Sequence, residues 1–224
     1  RDLADQARLA SMPLQAATQW DSLAHVGYDG LFYNGVPINA VNALNGASRN
    51  AITGVIELLI GRAVLLDVAG LRGQRSLEAG EEVTADDLAA AARRQMVELR
   101  AGDIVLVRTG WSQRLASGAD SGYLGPRVPG LGVSCCRWLH ANQVAAVATD
   151  TPFLEVRPSV EIGGDLPVHM ILIRDVGMTL GEMFDLERLA DSCVRLRRWE
   201  FFFSGVGLAV SGAVGTPLSP VAVL

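Results

Sequence analysis

The sequence predicts an α/β fold organised as a single domain, residues 1–224, and three observations point to it. Between residues 63 and 149, short apolar runs alternate with helical patterns in the order strand, helix, strand, helix, strand. A chain of 224 residues, 50% of them apolar, is long enough to bury one full core. No internal repeat and no linker-like composition divides it.

Taken in order, residues 1–14 are polar and read as helical or irregular, with Pro13 favouring an extended residue before it. Residues 27–50 are rich in Gly, Asn and Tyr, which predicts turns and a long loop of the kind that often covers a site. Residues 51–60 carry apolar positions at helical spacing, and the apolar run 63–68 is expected as a strand buried on both faces. Thr84 and Asp87 form a capping box that opens a helix over 84–97, and Arg93 and Arg94 suit its C-terminal end. Gly102 and Asp103 turn the chain into a second strand, 104–109, which Gly110 and Trp111 end. Residues 112–132 read as loop. Ser134 is expected to cap a helix reaching residue 142, and 144–149 is a third strand. A short helix over 168–175 closes at Gly177, Asp185 caps a helix over 186–194, and 199–210 is a last strand before an irregular tail.

Composition narrows the function. The net charge of -5 comes without a basic stripe, so nucleic acid is excluded as a partner and a small molecule is expected. No window approaches the roughly 18 to 20 apolar residues of a membrane span, and no signal peptide is visible. Three cysteines, with Cys135 and Cys136 adjacent, make neither a disulfide framework nor a metal-binding spacing. A reducing compartment, the cytoplasm, is therefore expected. The chain opens at Arg1 without a methionine, from which we expect a missing N-terminal arm.

Residues 15–25 carry the densest chemistry. Asp21 and His25 lie four positions apart, with the amides of Gln15 and Gln19 on the same stride, among small and apolar neighbours. Such polar groups are costly to bury unless each finds a partner, and a metal ion or a substrate is a common one. A capped turn followed by a surface histidine is the structural alternative. Farther on, His169 follows Pro167, and Glu182 stands thirteen residues later beyond Gly177. A helix and turn there could return imidazole and carboxylate to one point, and a hydrogen-bonded core histidine is the alternative. Trp20, Tyr28, Phe32, Tyr33 and Trp111 would suit a flat cyclic or aromatic substrate, or else pack the core and a lid. Arg108 could clamp a substrate carboxylate or sit in a structural ion pair. Trp138, His140 and the cysteines read as structure or surface.

These residues carry a resemblance. The chain resembles the cyclase family of metal-dependent hydrolases, which includes kynurenine formamidase, isatin hydrolase and polyketide cyclase-like proteins. The family signature, His-x-Gly-Thr-His-x-Asp-x-Pro-x-His, falls on Gln15-Ala-Ala-Thr-Gln19-Trp-Asp21-Ser-Leu-Ala-His25. Its downstream part falls on His169-Met-Ile-Leu-Ile, Gly177 and Glu182. Tyr33-Asn34-Gly35, the run from Gly102 to Trp111, and the run from Gly215 to Pro220 resemble the subgroup with Thr-Gln-Trp-Asp, so the likeness runs from about residue 12 to the end. The resemblance implies a swivelling β/β/α domain with a mixed sheet and flanking helices, and a homodimer or larger assembly. It implies that Asp21, His169 and Glu182 bind metal and that His25 is the catalytic acid/base. Gln15 and Gln19 stand where the signature has histidines. A glutamine carbonyl suits a harder ion than zinc, so one divalent ion is expected, manganese, zinc or magnesium. The activity implied is hydrolysis of a small cyclic or aryl amide or ester; a ring-forming cyclase of aromatic polyketide assembly and a metal-free binding protein are the alternatives.

Overall fold

The apolar runs become the middle of one mixed sheet. The computed structural model describes residues 12–118, 122–159 and 166–224, so the expectation for residues 1–11 lies outside the described residues. Eight strands make the sheet: β1 (Gln19–Asp21), β2 (Ile60–Asp67), β3 (Ile104–Arg108), β4 (Ala146–Thr149), β5 (Thr179–Glu182), β6 (Glu200–Ser204), β7 (Gly215–Pro217) and β8 (Val221–Val223). Their order across the sheet is β7-β1-β5-β4-β3-β2-β6-β8. The central four run parallel, while β1 and β6 pair antiparallel with β5 and β2 on either flank.

The end of the chain explains the shape of this sheet. β7 and β8 stand at opposite ends of the row, yet only residues 218–220 connect them. Such a link spans at most about 14 Å, whereas eight flat strands at about 4.8 Å spacing would put the ends roughly 34 Å apart. The sheet must therefore curl until its ends approach. The curl has an inside and an outside, and the period-two alternation of the strands divides the apolar residues between them. Ala63, Leu65, Ile104, Leu106, Ala146 and Ala148 join Trp20, Phe184 and Phe203 in an inner cluster. Val64, Leu66, Val105, Val107 and Val147 join an outer cluster that helical residues including Leu88, Ala91 and Leu139 cover. Burial on both faces is why β3 reads as a continuous apolar run, all five of its residues being buried.

Among the described residues there are five α-helices: α1 (Val68–Leu71), α2 (Ala85–Gln95), α3 (Ser134–Ala141), α4 (Pro167–His169) and α5 (Glu187–Leu196). The capping box of α2 is present in both directions, Thr84 accepting from the Asp87 N–H and Asp87 accepting from the Thr84 N–H. Ser134 does not cap its own helix. It is the first residue of α3, and its hydroxyl accepts from the Ala85 N–H at 3.1 Å, so it satisfies an orphan donor of α2 instead. Asp185 does serve α5, accepting from the Glu187 N–H. α4 continues into a wide π-type turn, Met170–Val176, which Gly177 ends at φ +77.

Three expectations need correction. Residues 51–60 form two 3-10 turns, Ile52–Gly54 and Ile56–Leu58, and then the start of β2, because their apolar spacing is too short a run for a full helix. The long loop of 27–50 contains a small ladder between Val41–Asn42 and Gly46–Ala47. The final tail is not irregular: β7 and β8 both pair, and their brevity together with Gly, Pro and Ser hides them in the sequence. No helix among the described residues is long and apolar enough to cross a membrane.

Candidate metal and proton-transfer site

β1 is only three residues long, but it sets the site. Alternation sends Trp20 into the curl and turns Gln19 and Asp21 to the opposite face. Gln19 lies directly across from Glu182, the last residue of β5, and Asp21 lies across from Leu180. α4 brings His169 to the same place, with its Nε2 3.1 Å from Glu182 Oε1 and 3.8 Å from Asp21 Oδ2. His25 closes the group from the loop after β1, its Nδ1 3.8 Å from Asp21 Oδ1. Ligand atoms of Asp21, His25 and His169 all lie within 4.8 Å of one another. Two segments almost 150 positions apart thus meet at one centre, at the carboxyl end of a parallel strand, where open α/β sheets place their sites.

The two glutamines are built into this centre as hydrogen-bond donors. Gln15 Nε2 reaches Asp21 Oδ1 at 2.8 Å and His25 Nδ1 at 2.9 Å. Gln19 Nε2 donates to Glu182 Oε2 at 3.0 Å and to Asp21 Oδ1 at 3.3 Å. Two buried acceptors of this centre have no hydrogen bond among the described residues, Asp21 Oδ2 and Gln19 Oε1. Unpaired buried oxygens beside an imidazole nitrogen are what a cation would satisfy. The donor set of carboxylate, imidazole and amide oxygen therefore fits a divalent ion.

The protonation pattern agrees with a site short of positive charge. Burial lifts the Asp21 carboxyl to about 6, against the pull of His25 and His169. Burial also holds His25 below its ordinary value, so its ring is neutral near pH 7. Burial disfavours charge on His169 too, but hydrogen bonds to Glu155 and Glu182 overcome it and hold that imidazolium up at about 10. His169 is thus the resident cation among three carboxylates. A bound metal ion would take over that charge and release a proton from the ring.

The remaining predicted site residues are placed as follows. Trp20 is 0% exposed, donates its indole N–H to the Gly205 carbonyl at 2.7 Å and meets the Phe184 ring edge-on at 5.1 Å. It is core, not a substrate contact, because a residue between two outward neighbours on a strand must face inward. Trp111 is buried with Tyr123 and Val128, its N–H on the Tyr123 carbonyl and the Arg114 cation over its ring. It too packs the structure. Arg108 does not present a free fork. Its guanidinium holds Asp67 and both oxygens of Glu187 at 2.8 Å and the Arg75 carbonyl at 3.0 Å, the structural ion pair of the two sequence readings. Tyr33 is half-buried, and its ring lies so close to Gly177 that a Cβ there would sit 2.4 Å away, which sets it against the turn that follows His169.

Sequence reasoning passed over Glu155. It is buried, and its Oε1 lies 2.5 Å from His169 Nδ1. A lone carboxylate inside Phe153-Leu154-Glu155-Val156 was the available signal, since a charge in an apolar run needs a buried partner.

Known proteins bear on this geometry. A Cyclase family model matches residues 4–156. A crystal structure described as a novel cyclase is 37% identical, with a TM-score of 0.89 over 96% of this chain and 70% of its own. Isatin hydrolase A from Labrenzia aggregata, bound to benzyl benzoate, is 19% identical, with a TM-score of 0.65 over 92% of this chain and 71% of its own. A potential metal-dependent hydrolase with cyclase activity is 16% identical, with a TM-score of 0.61 over 95% of this chain and 80% of its own. The last two likenesses are of fold. No curated protein matches the chain.

Proposed function

The chain belongs to the cyclase family, and from that premise we propose that it is a metal-dependent hydrolase of a small cyclic or aryl amide or ester. The observation that carries this reading is the meeting of Asp21, His25 and His169 within 4.8 Å, with Asp21 Oδ2 buried and without a hydrogen bond. Asp21, His169 and Glu182 would hold one divalent ion, manganese, zinc or magnesium, with Gln19 Oε1 as a further neutral donor. When bound, the ion supplies Lewis acidity, polarising an acyl carbonyl and making hydroxide available near neutral pH.

The chain's own residues move the proton. Neutral His25 accepts a proton from the attacking water and returns it to the leaving nitrogen or oxygen. Gln15 serves both stages. Its NH2 lies 2.9 Å from Nδ1 of the neutral ring, and the amide turns over to offer its carbonyl when Nδ1 takes up the proton. Asp21, 3.8 Å from Nδ1, favours the charged ring and so lowers the cost of that transfer. Burial of Asp21 and His169 keeps water from competing for these bonds.

A ring-bearing acyl substrate is favoured by the fold neighbours, since an isatin hydrolase of like fold binds the product analogue thioisatinate. Three buried free cysteines suit a reducing compartment such as the cytoplasm, and a homodimer or larger assembly is the assembly we expect. The test is a panel of isatin-like amides, aryl formamides and lactones, run with manganese and with zinc. The proposal expects turnover of at least one class that falls more than about 100-fold in His25→Ala. Ring closure of a poly-β-keto substrate without hydrolysis of any panel member would replace it with the cyclase alternative.

A further inference from the structure

One buried carboxylate beside the site has no role in the chemistry above. Glu155 is 1% exposed, and both of its oxygens are occupied. Oε1 lies 2.5 Å from His169 Nδ1 and accepts from the His169 backbone N–H at 3.1 Å, while Oε2 accepts from the Val168 N–H at 3.0 Å. The segment that delivers it is itself tied down, since the Leu131 N–H reaches the Leu154 carbonyl at 3.0 Å and the Val156 N–H reaches the Leu131 carbonyl at 3.1 Å. Gly130 permits this approach, because a Cβ there would lie 2.4 Å from the Glu155 carbonyl carbon. The carboxylate therefore cannot follow the ring if the ring turns.

We propose that Glu155 is a positioning residue for His169, an inference that rests on His169 being an ion ligand. By accepting the Nδ1 proton it fixes the ring's rotation and tautomer, and Nε2 is left as the atom turned toward Glu182 and Asp21. Without it the ring, once an ion has displaced one of its two protons, could carry the other on either nitrogen and rotate away. A carboxylate on the far nitrogen also makes Nε2 a stronger donor toward a metal. The backbone contacts to Val168 and His169 alone would steady the start of α4; the ring contact is not needed for that.

The chain has only three histidines, so ring signals in proton–nitrogen spectra can be assigned by substitution. The wild-type protein should show a far-downfield, slowly exchanging Nδ1–H signal that disappears in His169→Asn and in Glu155→Gln. Glu155→Gln has one acceptor oxygen for three buried donors and should lower the thermal midpoint, and zinc competition against a chelator should show about 10- to 100-fold weaker binding by the folded variant. A wild-type spectrum with the His169 proton on Nε2 alone overturns the proposal, and this holds even if Glu155→Gln fails to fold. So does a Glu155→Gln protein that binds zinc as tightly as wild type. A wild type that shows the Nδ1–H signal yet binds no zinc supports the contact and instead refutes the metal-centre reading.

Discussion

Replacing Asp21 by Asn should stabilise the ion-free protein and destabilise the ion-loaded one. Asp21 is completely buried, its Oδ2 has no hydrogen bond among the described residues, and burial lifts its carboxyl from 3.8 to about 6. A carboxyl raised on folding contributes stability that is full below its unfolded value near 3.8 and is lost as pH climbs through about 6. That displacement corresponds to roughly 3 kcal/mol, which the ion-free wild type has lost by pH 8. Asn keeps an oxygen for Gln15 and removes the charge. Urea unfolding in chelator should therefore find Asp21→Asn more stable at pH 8, by up to about 3 kcal/mol, with the difference shrinking toward zero near pH 4. With manganese at a thousandfold excess over its Kd the order should reverse, because wild type gains about 4.1 kcal/mol and the variant has lost a ligand. An Asp21→Asn protein that is less stable than wild type in chelator at pH 8, or that shows no reversal with the ion, would refute the reasoning.

Other substitutions separate structure from chemistry. Arg108→Ala strands Asp67 and Glu187 and should cost about 3 kcal/mol in chemical unfolding; a rise in KM without loss of stability would restore the substrate-clamp reading. Trp20→Ala opens a cavity inside the curl and should cost about 3 to 5 kcal/mol by thermal or urea unfolding, and a stable variant with altered substrate preference would contradict its place in the core. Because burial lowers the His25 pKa, the acidic limb of kcat/KM should fall below pH 6.5; a limb above that value, or one unchanged in His25→Ala, would remove His25 from the proton path.

The parts of the fold that were legible are those whose local physics is self-contained. β2, β3 and β4 announce themselves as runs buried on both faces, and the Thr84–Asp87 box needs only its own residues. β7 and β8 were not legible because a three-residue edge strand is defined by its partner, which lies about 200 positions away for β7 and about 20 positions away for β8. Trp20 takes the second of its two sequence readings, core packing, for a local reason. Once residues 19–21 are a strand, two polar neighbours facing the site leave the indole no direction but inward. The convergence of Asp21 and His25 with His169 and Glu182 came through the resemblance, since spacing alone allowed a capped turn and a core histidine. Glu155 carried no motif, only the improbability of an unpaired charge among Phe153, Leu154 and Val156.

Elemental analysis joined to anomalous diffraction tests the central claim most directly. Protein grown and purified without chelator should contain close to one manganese, zinc or magnesium ion per chain, and for the two transition metals the anomalous peak should sit between Asp21, His169 and Glu182. A chain that remains free of metal after incubation with each ion, or an ion found away from these three side chains, would contradict the account.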